Sequence, residues 1–205
     1  MRRAVWHHGW WLHAQRRPSP NFNHRPDHER ISLAVVHSIS LPPGQYGGDQ
    51  VERFFDNRLD AAEHTYFEAL SGVRVSAHFF IRRSGAVLQF VSCDQRAWHA
   101  GVSSWAGREL CNDWSIGIEL EGLEGQTFVP AQYAALTRLL RSAARHYPLD
   151  AVVGHEDIAP GRKGDPGSGF DWHALCRRLQ WHSHALARID VPRAMRASPY
   201  EVRYR

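Results

Sequence analysis

The chain has no apolar run approaching the ~20 residues a membrane-spanning helix needs. Its amino end, MRRAVWHHGWWLHAQRRPSP, interrupts its tryptophans with charge and histidine before a stretch of signal-peptide length can form. A cytoplasmic location is the expectation, with no membrane partner. Cysteine is scarce: Cys93, Cys111 and Cys176 are odd in number, scattered and without a CxxC pair. That excludes a disulfide framework and fits a reducing compartment, so the three read as small buried hydrophobes. Low-complexity tracts, internal repeats and a concentrated basic block are also missing. The net charge of +4 comes from residues spread along the chain, so a nucleic acid is not an expected partner. What remains is 205 residues, 43% hydrophobic and 22% charged, enough for one domain with a real core. A monomer is expected.

Residues 13–30, HAQRRPSPNFNHRPDHER, have neither helical nor strand period. They read as the end of an extended leader, residues 1–30, wrapped over the surface. The apolar, β-branched run Ile31 to Val36 has the pattern of a buried strand and delivers His37 to its carboxyl end, where ligands collect on open sheets. A short helix is expected over Val51 to Leu59, and a hairpin from Val75 to Ile81, turning at Arg82-Arg83-Ser84-Gly85 into Ala86 to Val91. In SIGIELE, Ser115 to Glu121, strand alternation puts Ile116, Ile118 and Leu120 on one face and Gly117, Glu119 and Glu121 on the other. Tyr133, Leu136, Leu140, Ala143 and Tyr147 form the stripe of a helix from Pro130 to Tyr147, with proline near its start. A strand Ala151 to Gly154 carries His155 to its end, and Asp171 caps a last helix to about Leu186. These elements predict an α/β (α+β) fold: a single domain over 31–186, with a mixed central sheet flanked by helices, followed by a polar tail over 187–205.

The loop GHEDIAPGRKGDPG, Gly154 to Gly167, holds His155, Lys163 and Asp165 together. Catalytic zinc takes three protein ligands and leaves one position for water. This loop offers an imidazole and a carboxylate, and His37, on another strand end, is the best third donor. Singly, His37 reads as a core histidine and Asp165, before Pro166-Gly167, as a turn former; as a set they favour a metal. Zinc is preferred on ligand type, although two histidines and a carboxylate also hold iron(II). Lys163 stands two residues from Asp165, where an ammonium would stabilise charge developing on a carbonyl oxygen. Glu119 and Glu121 share a strand face, and either could be a general base beside an activated water. The residues alone do not choose between them.

The combination of SPNFNHRP, VVHSISLPPGQYGG, RVSAHFFIRRSG, RAWHAGVSSWAGRELCNDWSIGIELEG and GHEDIAPGRKGDPGSGFDW resembles the zinc-dependent N-acetylmuramoyl-L-alanine amidases of the AmpD type, from about Arg17 to Trp172. The resemblance implies one Zn2+ held by His37, His155 and Asp165, with Glu119 as the catalytic carboxylate, Lys163 stabilising the transition state and Glu121 in support. It implies a small-molecule anhydro-muropeptide substrate, cut between the lactyl group of N-acetylmuramic acid and L-alanine during cytoplasmic cell-wall recycling. Arg74 and Arg108 become candidates for the carboxylates of the stem peptide, and Trp98, His99, His78 and Tyr66 for walls of the cleft. Two positions depart from the family pattern: Ser38, where asparagine is common and a hydrogen bond near zinc could change, and Leu110, where some relatives carry a second arginine. The competing reading is a non-catalytic peptidoglycan-fragment-binding protein, which typically lacks one of the metal ligands; all three are present here.

Overall fold

The computed structural model describes residues 5–179. The continuation of the last helix to 186 and the tail over 187–205 lie outside the described residues.

Six strands form the central sheet: β1 (Gln15–Arg16), β2 (Leu33–Ile39), β3 (Phe79–Ile81), β4 (Val87–Gln89), β5 (Ser115–Glu121) and β6 (Ala151–Gly154). Their order across the sheet is β6-β2-β5-β3-β4-β1. All neighbours run parallel except the hairpin pair β3–β4, so the sheet is mixed, as expected. β2 is longer than the apolar run predicts, because it keeps pairing with β5 through Glu119↔His37 to Glu121↔Ile39. His37 therefore lies inside the strand and not at its end.

The helix over Pro130–His146, α3, buries Tyr133, Leu136, Leu140 and Ala143 as its stripe requires. With α5 (Trp172–Leu179), it covers the sheet face formed by Ala34, Val36, Ile116, Ile118, Leu120, Phe79 and Ile81. The Asp171 carboxylate accepts the Ala174 N–H at 2.8 Å, capping α5. The short helix α1 covers Gln50–Phe55 and stops earlier than predicted. Asn57, at φ 66°, leaves the helical region, and its side chain exchanges hydrogen bonds with that of Asn21.

Residues 5–30 are built into the domain. Trp6 and Trp11 sit in the main core, although their flanking histidines and arginines hide them from hydrophobic periodicity. Asn21 donates to Phe55 O, Val75 O and Asn57 Oδ1. Arg25 donates to the carbonyls of Cys93, Asn112, Asp113 and Ser115. SPNFNHRP thus works as a set of polar staples, satisfying carbonyls that would otherwise be buried without donors. Cys93 and Cys111 are fully buried, Cys176 is half-buried, and none of the three is in a disulfide.

On the opposite sheet face two smaller clusters are separate. One gathers Phe54, Phe55, Phe67, Phe80, Leu88 and Phe90, and the other Leu33, Val35, Cys111, Trp114, Val153 and Ile158. The carboxyl-terminal ends of β6, β2 and β5 also belong to this face, and their polar residues belong to neither cluster.

Trp6 packs edge-on against Phe79 and donates from Nε1 to Ser142 Oγ at 2.9 Å. Trp6→Ala should lower the denaturant midpoint at unchanged m, removing about 3–5 kcal/mol of stability, as large-to-small core changes do. A change within ~0.5 kcal/mol would show that the amino-terminal segment does not support the core.

Candidate metal centre

Parallel register brings the site together. Glu119 on β5 is paired with His37 on β2, and Gly154 on β6 with Val36. One residue further on, His155 stands beside His37. Three neighbouring strands, about 4.8 Å apart, thus present His155, His37 and Glu119 in one row on one face. His155 also opens the four-residue helix α4 (His155–Ile158), where Asp157 Oδ2 accepts the Gly154 N–H at 2.7 Å.

The loop after α4 folds back over this row. Lys163 N–H donates to Ala159 O and Glu156 N–H to Asp165 O, at 3.0 and 2.9 Å. The loop packs against residues 122–126, which follow Glu119's strand. At Gly169 a Cβ would lie 1.9 Å from the backbone oxygen of Gln126, so only glycine permits that approach.

His37 Nδ1, His155 Nδ1 and an Asp165 carboxylate oxygen form a triangle with edges of 2.9, 3.1 and 3.2 Å. Zinc with bonds of 2.0–2.2 Å to such atoms has ligand–ligand edges of about 3.3 Å in a tetrahedron, so the donor set fits the ion in size and type. The tautomer supports this. His155 Nε2 faces the Ala100 carbonyl at 3.2 Å; a carbonyl only accepts, so the proton is on Nε2 and the Nδ1 lone pair points into the triangle. Lone pairs and a carboxylate converging at 3 Å repel one another unless a proton or cation lies between them.

Burial makes the proton a poor occupant. It pushes His37 down to about 4, with a hydrogen bond to Asp165 partly opposing the fall. Burial would raise Asp165, but hydrogen bonds with His155 and His37 outweigh it and hold the carboxyl well below its usual range. Glu119 moves the other way: desolvation raises it well above the usual carboxylate value, Asp165 adds to the rise and Lys163 opposes it. Its Oε2 is inaccessible and has no hydrogen-bond partner. Two carboxylates are thus driven apart, Asp165 towards the charged form and Glu119 towards the proton-holding form.

Glu121 has a different task on the same strand face. Its carboxylate accepts the Gly47 and Arg83 N–H groups at 2.6 and 2.8 Å, tying two loops to the end of β5. Lys163 is exposed, and its charge acts on both His37 and Glu119.

The remaining sequence candidates are dispersed. His99 is half-buried and its Nδ1 meets His37 Nε2 at 3.0 Å. His78 is fully buried, accepting the Gly117 N–H on Nδ1, so it forms no wall of a cleft. Trp98 is half-buried and donates to Asn23 Oδ1 at 2.7 Å. Tyr66 is 42% exposed on the short helix α2 (Thr65–Glu68), which rules out a core role. Arg74 is exposed and donates to the neighbouring Val73 O.

Arg108 stands apart from the donor triangle. It pairs with Glu29, contacts Ser32 and lies 4.0 Å over the Trp114 ring. Ser32 precedes β2, five residues or about 16 Å of strand from His37. Ser38 does not face the donor triangle either: strand alternation turns it to the α3 face, where its Oγ has no partner among the described residues. Two contributors escaped the sequence reading. Asn112 Oδ1 accepts the backbone N–H groups of His99 and Ala100 at 3.0 and 2.8 Å, and Arg162 donates to Ala100 O at 2.8 Å and to Val102 O. Only the adjacency of Arg162 to Lys163 could have drawn attention to either.

Residues 27–168 match the family described as N-acetylmuramoyl-L-alanine amidase, and the chain belongs to that family. It is 50% identical over 178 residues to the 1,6-anhydro-N-acetylmuramyl-L-alanine amidase AmpD of Salmonella typhimurium (strain SL1344), covering 86% of this chain and 95% of that protein. The crystal structure of a Se-Met AmpD derivative superposes with a TM-score of 0.83 at 47% identity, covering 86% of this chain and 99% of that one. A complex of the amidase AmiD from E. coli with the substrate anhydro-N-acetylmuramic acid-L-Ala-D-gamma-Glu-L-Lys superposes at 0.54 with 29% identity, covering 76% and 60%. The mixed α/β architecture is that of these amidases.

The buried histidines set the response of the metal-free protein to acid. Between an unfolded value of 6.5 and about 4, unfolded His37 binds a proton that the folded ring refuses, and His78 and His99 are lowered in the same direction. Unfolding takes up protons there, so stability falls as pH drops through this window. Glu119 and Asp157, whose folded values are raised by desolvation, contribute the opposite slope, two groups against three. The urea midpoint of chelator-stripped protein should therefore be lower at pH 5 than at pH 7.5; an equal or higher midpoint at pH 5 contradicts the assignment.

Proposed function

We propose that this chain is a zinc-dependent amidase that hydrolyses the bond between the lactyl group of 1,6-anhydro-N-acetylmuramic acid and the L-alanine of a stem peptide, in cytoplasmic recycling of cell-wall fragments. The observation that carries the reading is the triangle of His37, His155 and Asp165 donors with the partnerless Glu119 carboxyl on the adjoining strand. The names of its relatives supply the substrate class, as does the anhydromuramyl peptide in the AmiD complex.

His37, His155 and Asp165 would hold the zinc, which when bound supplies Lewis acidity towards water and the scissile carbonyl. Glu119 takes the proton of the attacking water on Oε2 and returns it to the departing L-alanine nitrogen. A carboxyl raised by desolvation from its ordinary value suits both halves of that transfer, since it accepts a proton more readily than an exposed one. Lys163 presents its ammonium to the oxygen that becomes negative as the carbonyl is attacked. Arg74, exposed and without an acidic partner among the described residues, is a candidate for a stem-peptide carboxylate, as is Arg108. Among the described residues no helix is long and apolar enough to cross a membrane, and a cytoplasmic location is part of the proposal. The enzyme is proposed to act as a monomer.

Purified protein should release L-alanyl peptide from soluble anhydro-muropeptides far faster than from intact sacculi; the reverse preference would overturn the recycling role. Stripping the metal should abolish turnover, and zinc should restore it. Glu119→Gln should retain zinc and lose about 10²- to 10⁴-fold in kcat, the usual contribution of a general acid–base group. Asp165→Ala should lose both zinc and turnover. Near-normal rates in zinc-loaded Glu119→Gln would remove the proton-transfer role from that residue. Tight substrate binding without turnover by the zinc-loaded wild-type protein would favour the fragment-binding alternative.

A further inference from the structure

Both metal-binding imidazoles are oriented from a single dipeptide, His99-Ala100. His155 donates its Nε2–H to Ala100 O, and His37 Nε2 meets His99 Nδ1. Both backbone N–H groups of the dipeptide are gripped by Asn112 Oδ1, and its carbonyl also receives Arg162. Beyond His99 the chain of contacts continues from Nε2 to Ser115 Oγ at 3.2 Å.

A metal at the triangle needs the His37 lone pair on Nδ1, which requires the proton on Nε2. His99 Nδ1 must then accept it, leaving the His99 proton on Nε2 to be donated to Ser115 Oγ. Each link has one consistent assignment, and His99 is the only partner of His37 Nε2 among the described contacts.

The sequence makes room for this ring. Gly117 lies on the site face of β5, two residues before Glu119, and a Cβ there would stand 2.4 Å from His99 Cγ and 2.6 Å from His99 Nδ1. Gly117 is not in the left-handed region, so backbone conformation does not demand glycine here. The close approach of the imidazole does.

We infer that His99 is a positioning residue, holding His37 in the tautomer and ring orientation that binds metal, and that Gly117 is glycine so that His99 can lie over β5 and reach it. The inference rests on the zinc reading above and concerns how the site is made ready for the ion.

Zinc affinity, measured by competition against a chromophoric chelator on metal-stripped protein, tests it without reference to turnover. His99→Ala should weaken zinc binding about 10- to 100-fold, the usual effect of removing a group that orients a ligand. His99→Asn should recover most of that loss, because its Oδ1 can take the place of Nδ1 as acceptor; a merely space-filling role would not distinguish the two. Gly117→Ala, which touches no ligand, should weaken zinc in the same direction, yet add little when combined with His99→Ala, since both act through one hydrogen bond. Circular dichroism and melting of the metal-free variants report whether each still folds. Zinc affinity within about twofold of wild type in His99→Ala, or equal weakness in folded His99→Asn and His99→Ala, overturns the inference. Failure of the wild-type protein itself to bind zinc would instead overturn the metal reading beneath it.

Discussion

Three donor atoms held about 3 Å apart with their lone pairs converging are the constraint around which this molecule is arranged. Such a grouping is repulsive on its own and persists only because the scaffold fixes each member by a separate device. His37 is inside a long central strand, His155 is at the junction of a strand and a short helix, and Asp165 is on a loop tied to that helix by the Glu156–Asp165 backbone hydrogen bond. The parallel register of β6, β2 and β5 sets lateral spacing, and the loop supplies closure from above. A sheet edge is a suitable place for this, because the strands are rigid while their following loops are free to carry chemistry.

The amino-terminal segment contributes to the same rigidity from behind. Arg25 is a buried guanidinium, lowered to about 10 by desolvation, and its contacts are with carbonyls of residues 93, 112, 113 and 115. Two of these, Asn112 and Ser115, also touch His99 or its backbone. The segment that reads as a wrapping leader thus buttresses the dipeptide on which both candidate ligand histidines lean, and the core tryptophans Trp6 and Trp11 anchor it in place.

Much of this was legible in the sequence because it depends on periodicity and on ligand chemistry. Strand alternation in SIGIELE, the stripe of α3 and the run into His37 each follow from where apolar side chains must go, and two histidines with an aspartate restrict the chemistry further. What was not legible depends on long-range pairing. Nothing in the spacing of Arg108 announces that Glu29 and Trp114 will claim it, and Trp6 is masked by polar neighbours that face outward across a two-residue strand. The role expected of Ser38 failed for a local reason: adjacency in sequence places consecutive strand residues on opposite faces. The end of α1 depended on Asn57 finding Asn21, a pairing 36 residues away.

The fates of Glu119 and Glu121 show how the same chemistry is divided by context. They are two positions apart on one strand and point to one face, so residue type and local structure treat them alike. Glu121 lies where two loops turn over the sheet edge and offer it backbone N–H groups, and these hydrogen bonds give it a structural role. Glu119 lies one step further in, beside Asp165 and away from any donor, where desolvation favours the protonated form. A buried carboxyl oxygen left without a partner is a cost to the fold that ordinary packing would remove. Its position next to the three-donor triangle, with that oxygen turned away from every donor the strand and loops offer, is what separates Glu119 from Glu121 and supports its proposed role in proton transfer.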